Sequence, residues 1–261
     1  MITLTLFNGE TRQVKNGSSL LPLAQEFAKD FSTPIVEGVF NGETIDLQAP
    51  LDCDGTVDFI QLQGEDGMRV YVRTLLFLFL VTAKRLYPDV DIEVHNTLGS
   101  ALNCSFKGEK KLSAKEMKLV EAEMRKLVEE KAPIKLLRIT KAEALEKYGH
   151  LCNEDLAPML CNIADDDLVT VYSLGDRVGY LFGALCPNAG YITDFSIVPF
   201  EEGFVLDYPA FSDWKELINF KDLTKLNAAF RETEEWAAMI KCDTISKLNR
   251  YIEMGVEDKI I

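Results

Sequence analysis

Two histidines, six cysteines and a run of three aspartates are the side chains of this 261-residue sequence best suited to hold a metal, move a proton or attack a carbonyl. His95 could join the thiolate of Cys104 or Cys186 at a soft metal, yet nothing in their spacing sets them on one turn or loop. A histidine hydrogen-bonded beside a turn is the simpler reading. His150 follows Gly149 where a helix is expected to end, and a cation there complements the helix dipole. Asp165, Asp166 and Asp167 carry enough negative oxygen for a hard cation, although such runs usually form solvated loops. Cys186 stands before Pro187 with no base near it in sequence and reads as an inert buried thiol. From these groups no catalytic residue and no metal ligand is assigned.

Composition narrows the partners. The chain carries 42 acidic against 28 basic side chains, a net charge of −14, which repels phosphate backbones unless basic residues gather on one face. The densest basic cluster, Lys107, Lys110, Lys111, Lys115 and Lys118, is interrupted by Glu109 and Glu116. Cys53, Cys104, Cys152, Cys161, Cys186 and Cys242 include no C-x-x-C pair, and the start does not resemble a signal peptide, so free thiols in a reducing cytoplasm are expected. The apolar run 75–81 has Arg73 before it and Thr82 and Lys84 after it. That is far short of the roughly 20 residues that cross a bilayer, and it predicts a buried helix rather than a membrane anchor.

The elements that must position these groups follow from periodicity. Ile2, Leu4 and Leu6 alternate with polar residues ahead of Asn8-Gly9, predicting an opening hairpin with a two-residue turn. A short helix over 18–31 and strands over 35–40, 43–47 and 57–61 complete a small unit, with a second Asn-Gly turn at residues 41 and 42. After a glycine-bounded joint at 64–67, residues 71–87 predict a central helix that Pro88 ends. Strands over 92–94 and 101–106 come next. Ser113 and Glu116 have capping-box spacing ahead of an amphipathic helix that closes by Pro133, and Thr140 and Glu143 repeat that spacing before a shorter helix. Strands are expected over 168–172, 177–181 and 191–198, and helices over 223–239 and 244–254. The fold class is α+β.

The opening hairpin unit, through Phe40-Asn-Gly42 and Asp46-Leu47, resembles the TGS domain, a β-grasp fold, that opens threonyl-tRNA synthetases. Lys84-Arg-Leu-Tyr-Pro88 and Glu121-Ala-Glu-Met-Arg-Lys126 resemble the editing domain that follows it there, over roughly residues 1–200. Further segments, Tyr71-Val-Arg-Thr74, Leu174-Gly-Asp176, Gly203-Phe-Val-Leu-Asp-Tyr-Pro209 and Phe230-Arg-Glu-Thr-Glu-Glu-Trp236, resemble the N-terminal region of bacterial uridine-kinase-family nucleoside kinases. The resemblance implies a TGS-like domain over 1–63, an editing-like domain over 68–205, and a helical extension or linker over 206–261. In the kinase family a further domain would phosphorylate nucleosides with ATP and Mg. No G-x-x-x-x-G-K-[ST] occurs in this sequence, so the phosphate cradle of such a domain is absent from it.

Editing domains of that family place two histidines four residues apart on the central helix and add a cysteine and a histidine from a later loop. Aligned on this chain, those positions fall on Arg73, Phe77, Leu181 and Leu185, none of which can ligate a metal or relay a proton. The resemblance therefore implies a cleft without its hydrolytic agents. Arg73 is either an anchor for a ligand's phosphate or carboxylate, or a structural arginine paired with Asp176 or Asp194, and the second reading is preferred. Phe77, Tyr180 and Phe182 are either a stacking surface in the cleft or core aromatics, and again the second is preferred.

The expected function is a non-catalytic, cytoplasmic regulatory region that binds a nucleotide or amino acid, or a protein partner. A tRNA-binding or trans-editing protein is the alternative, with RNA disfavoured by acidity. Trp236, Ile240, Ile245, Leu248 and Ile252 are apolar enough to require cover, within the chain or across a homodimer.

Overall fold

A computed structural model describes residues 1–148, 160, 162–210, 212–217, 220, 223–243 and 245–255. Strands β1 (Ile2–Leu6) and β2 (Thr11–Val14) form the opening hairpin. Its turn has three residues rather than the expected two, because Leu6 faces Glu10 and Gly9 takes the positive φ of 84°. Ile2, Leu4 and Leu6 point inward, as period-two alternation requires. Helix α1 is shorter than expected, Leu21–Glu26, and runs into a turn of 3-10 helix at Phe27–Asp30. Pro22 fixes its first turn, where a missing N–H costs nothing. Strands β3 (Ile35–Phe40), β4 (Glu43–Ile45) and β5 (Gly55–Gln61) complete a five-stranded sheet of order β2-β1-β5-β3-β4, with β1 parallel to β5. Leu20, Leu23, Ala24 and Phe27 plug its inner face to form a small core. A bulge between Ile35 and Glu37 leaves Ile35 in this core and sends Val36 into the larger one beyond.

Helix α2 (Glu65–Leu86) is the centre of the larger core. It begins six residues before the expected start. Its polar first turn reads as a joint in sequence, yet Glu65 and Asp66 there complement the helix dipole. Gly67 is a point of close approach, since a Cβ would lie 2.0 Å from the carbonyl oxygen of Gln61. Strands β6 (Asp91–Leu98) and β7 (Ala101–Lys107) follow, then helix α3 (Ala114–Glu129), whose Ser113 and Glu116 form a complete capping box. Met117, Val120 and Met124 of α3 pack into the core of α2.

Sequence reasoning missed two strands, β8 (Ile134–Thr140) and β12 (Gly203–Asp207). Between them lie helix α4 (Lys141–Tyr148), β9 (Leu168–Leu174), β10 (Arg177–Gly179) and β11 (Ser196–Phe200). These make a three-stranded sheet, β10-β9-β8, and a four-stranded sheet, β11-β12-β7-β6. The strand expected over 191–198 is displaced by a 3-10 turn at Ala189–Tyr191, and the boundary expected after residue 205 lies inside β12. Helices α5 (Thr224–Met239) and α6 (Ile245–Glu253) end the described chain. Trp236, Met239, Leu248, Ile252 and Met254 on them are exposed, so the cover expected for this apolar face is not supplied by the described residues. Among the described residues no helix is long and apolar enough to cross a membrane. The fold is mixed α and β with several sheets.

Candidate functional site

The middle of α2 and the backbone of residues 179–186 face each other, so the four positions aligned with an editing site do come together. Thr74, fully buried, accepts the Cys186 N–H at 2.9 Å while its own hydroxyl donates to the Val70 carbonyl at 2.7 Å. Gly179 lies so close to Phe77 that a Cβ would meet its ring at 2.8 Å. Arg73 donates from Nε to the Arg69 carbonyl at 3.1 Å and from Nη1 to the Phe182 carbonyl at 3.3 Å. Gly183 makes this possible: its φ is +90°, and a Cβ there would fall 1.6 Å from Arg73 Nη1. From the other side, Asp46 Oδ2 accepts the Tyr172 hydroxyl at 2.8 Å and the Leu185 N–H at 3.2 Å, and Oδ1 accepts the Gln48 N–H at 2.7 Å. Burial raises the Asp46 carboxyl above its ordinary value, against these hydrogen bonds and the Arg73 charge.

The expected partners of Arg73 are corrected. Asp176 is exposed, and Asp194 pairs with Arg125 at 3.5 Å. Arg73 is held by carbonyls instead, and among the described residues its Nη2 has no hydrogen-bond or ion-pair partner. Phe77 is 1% exposed and packs edge-on against Tyr172, so it belongs to the core and not to a cleft. Leu185 is likewise buried. Phe182 departs from the core reading: it is 72% exposed, with its ring 5.2 Å from that of half-buried Tyr180.

Two cavities meet at this partition. One, of about 660 Å³, is lined by Glu65, Arg69, Arg73, Thr97, Ser100 and Tyr208 with Met68, Val72 and Pro209 as apolar floor. Arg69 is tied to Asp66 at 3.0 Å and to Glu65. The other, of about 440 Å³, lies between the N-terminal sheet and the sheet of β8 and β9; Glu37, Asp46, Tyr172, Tyr180, Leu181 and Phe182 are among its lining. Glu37 was not a sequence candidate. Its only signal is a charged residue inside an otherwise apolar strand.

The remaining candidates take ordinary roles. His95 bonds Ser105 Oγ at 2.8 Å and lies 3.1 Å from Glu234. Burial pushes the thiols of Cys104 and Cys186 up to about 12, which suppresses the reactive thiolate. Asp165 meets Lys141 at 3.2 Å in an exposed turn. Lys110 and Lys111 of the basic cluster are paired with Asp89 and Glu202. Cys53 is exposed and Cys242 half-buried; His150, Cys152 and Cys161 lie outside the described residues.

No family model matches the chain. Threonine–tRNA ligases do. The protein of Streptococcus uberis is 29% identical over 201 residues, that of Streptococcus equi subsp. zooepidemicus 30% over 205, and threonine–tRNA ligase 1 of Bacillus subtilis 23% over 198. Each alignment covers 76% of this chain and 31% of the ligase, so the chain spans about a third of the length of the curated relatives it matches. The ligase relationship carries the synthetase half of the expected resemblance; the nucleoside-kinase half gains no support from these relatives.

Proposed function

We propose that this chain is a ligase-related binding module that receives the aminoacylated 3′ end of a tRNA without hydrolysing it. On this reading residues 1–63 are a TGS-like β-grasp domain, 68–205 an editing-like domain and 206–261 a helical extension. The observation that carries the proposal is the pairing of a kept frame with missing agents. The clamp of residues 179–186 on α2 holds Arg73, Phe77, Leu181 and Leu185 together, yet none can ligate a metal or move a proton. The cavity of about 660 Å³ offers Arg73 and the hydroxyls of Thr97, Ser100 and Tyr208 to a phosphate or acyl oxygen, and apolar Met68 and Val72 to a base or side chain. A net charge of −14 and paired Lys110 and Lys111 confine the contact to the tRNA end rather than its body. No ATP- or Mg-dependent step belongs to this reading.

Fluorescence anisotropy with threonyl-tRNA and the same tRNA uncharged tests it, with ester hydrolysis followed in parallel. Preference for the charged form, a shallow salt dependence, weaker binding by Arg73→Gln and no hydrolysis above buffer are expected. Equal binding of both forms would sink the proposal, and hydrolysis would restore the trans-editing alternative.

A further inference from the structure

The carboxylate of Glu37 is 7% exposed, lines the cavity of about 440 Å³, and has no hydrogen-bond or ion-pair partner among the described residues. A buried carboxylate without a partner is costly, and such violations persist where a site uses them. We propose that this cavity is a second binding site, for an organic ammonium ion that carries a ring-sized apolar group.

The charge balance favours a cation. Glu37 and Asp46 both face the cavity, and Arg73 is the cation whose field reaches both. Arg73 is itself held by two carbonyls and lines the other cavity, within ion-pair distance of neither carboxylate. Asp46 has its oxygens engaged by three donors, whereas Glu37 has both lone-pair sets to offer. An ammonium group supplies up to three N–H donors to such an acceptor. An organic cation fits better than a metal ion, because the described residues contain no group of three His, Cys, Asp or Glu arranged to hold one. At the mouth, the Tyr180 and Phe182 rings stand edge to face at 5.2 Å and present π faces to a cation and apolar area to its substituent. The exposure of Phe182, unexplained by packing, has a use on this reading. The site does not rest on the tRNA reading, since the two cavities lie on opposite sides of the contact between Arg73 and Gly183.

Calorimetric titration of the full chain with phenethylammonium, neutral 2-phenylethanol and anionic 3-phenylpropionate tests the proposal. The ammonium should bind at least about tenfold more tightly than either analogue. Glu37→Gln should erase that preference while melting no lower than the parent, and Tyr180→Leu should weaken ammonium binding with Glu37 intact. Equal binding of the three probes, an unchanged ammonium affinity in Glu37→Gln, or no ammonium binding up to millimolar concentration would each overturn it.

Discussion

Gly183 carries two constraints at once, a left-handed backbone and a guanidinium where a Cβ would sit. Gly183→Ala should therefore lower stability in urea unfolding by about 1 to 3 kcal/mol, and less in an Arg73→Ala background, where the clash is gone. Glu37 sets a different dependence. Burial raises its carboxyl above the ordinary 4.5, so the folded chain keeps a proton that the unfolded chain has released. The folded state then binds more protons, and this group's contribution to stability falls as pH rises from 4.5 through the raised folded value. Unfolding measured from acid to neutral pH should show the advantage of Glu37→Gln over the parent growing with pH across that window. Neither residue was legible in the sequence. The partners of Arg73 are carbonyls, which have no residue-type signature, and Glu37 is buried only because a bulge turns β3 between two cores. Phe182, expected in the core, is exposed because its neighbours Gly183 and Ala184, not its own ring, lie against the body of the protein.

Elements with a local signature were read from sequence and those fixed by tertiary contact were not. The Asn41-Gly42 turn and the Ser113 capping box are written in adjacent residues, and both formed as expected. Strand β8 carries Lys135 and Arg138 on its way through the sheet, and β12 is nearly all buried, so neither shows clean alternation. The start of α2 was set too late because its polar first turn looks like a loop, whereas Gly67 lets the helix close on the end of β5. Gly67→Ala forces a methyl to within 2.0 Å of a carbonyl oxygen. It should cost about 1 to 3 kcal/mol or more, against the small gain a helical Gly→Ala change otherwise brings, and chemical denaturation would give the sign.

Two cores are joined in this molecule by a few polar contacts and one apolar residue. Gln48 bridges to β8 with both ends of its amide, donating to the Ile134 carbonyl at 3.0 Å and accepting the Leu136 N–H at 3.3 Å. Asp46 reaches Tyr172, and Val36 joins the larger core. We expect the parent chain to unfold in one transition, with Trp214 fluorescence and far-UV circular dichroism coincident, and the double variant Gln48→Ala, Tyr172→Phe to separate them. Coincidence retained in the double variant would show that Val36 and its neighbours suffice. The contact between Arg73 and the Phe182 and Gly183 backbone has a consequence for thermodynamics as well as for shape. It is a party wall: one face belongs to each cavity. A ligand that shifts the wall from one side alters the room on the other, and linkage then requires that each occupant change its neighbour's affinity by the same factor.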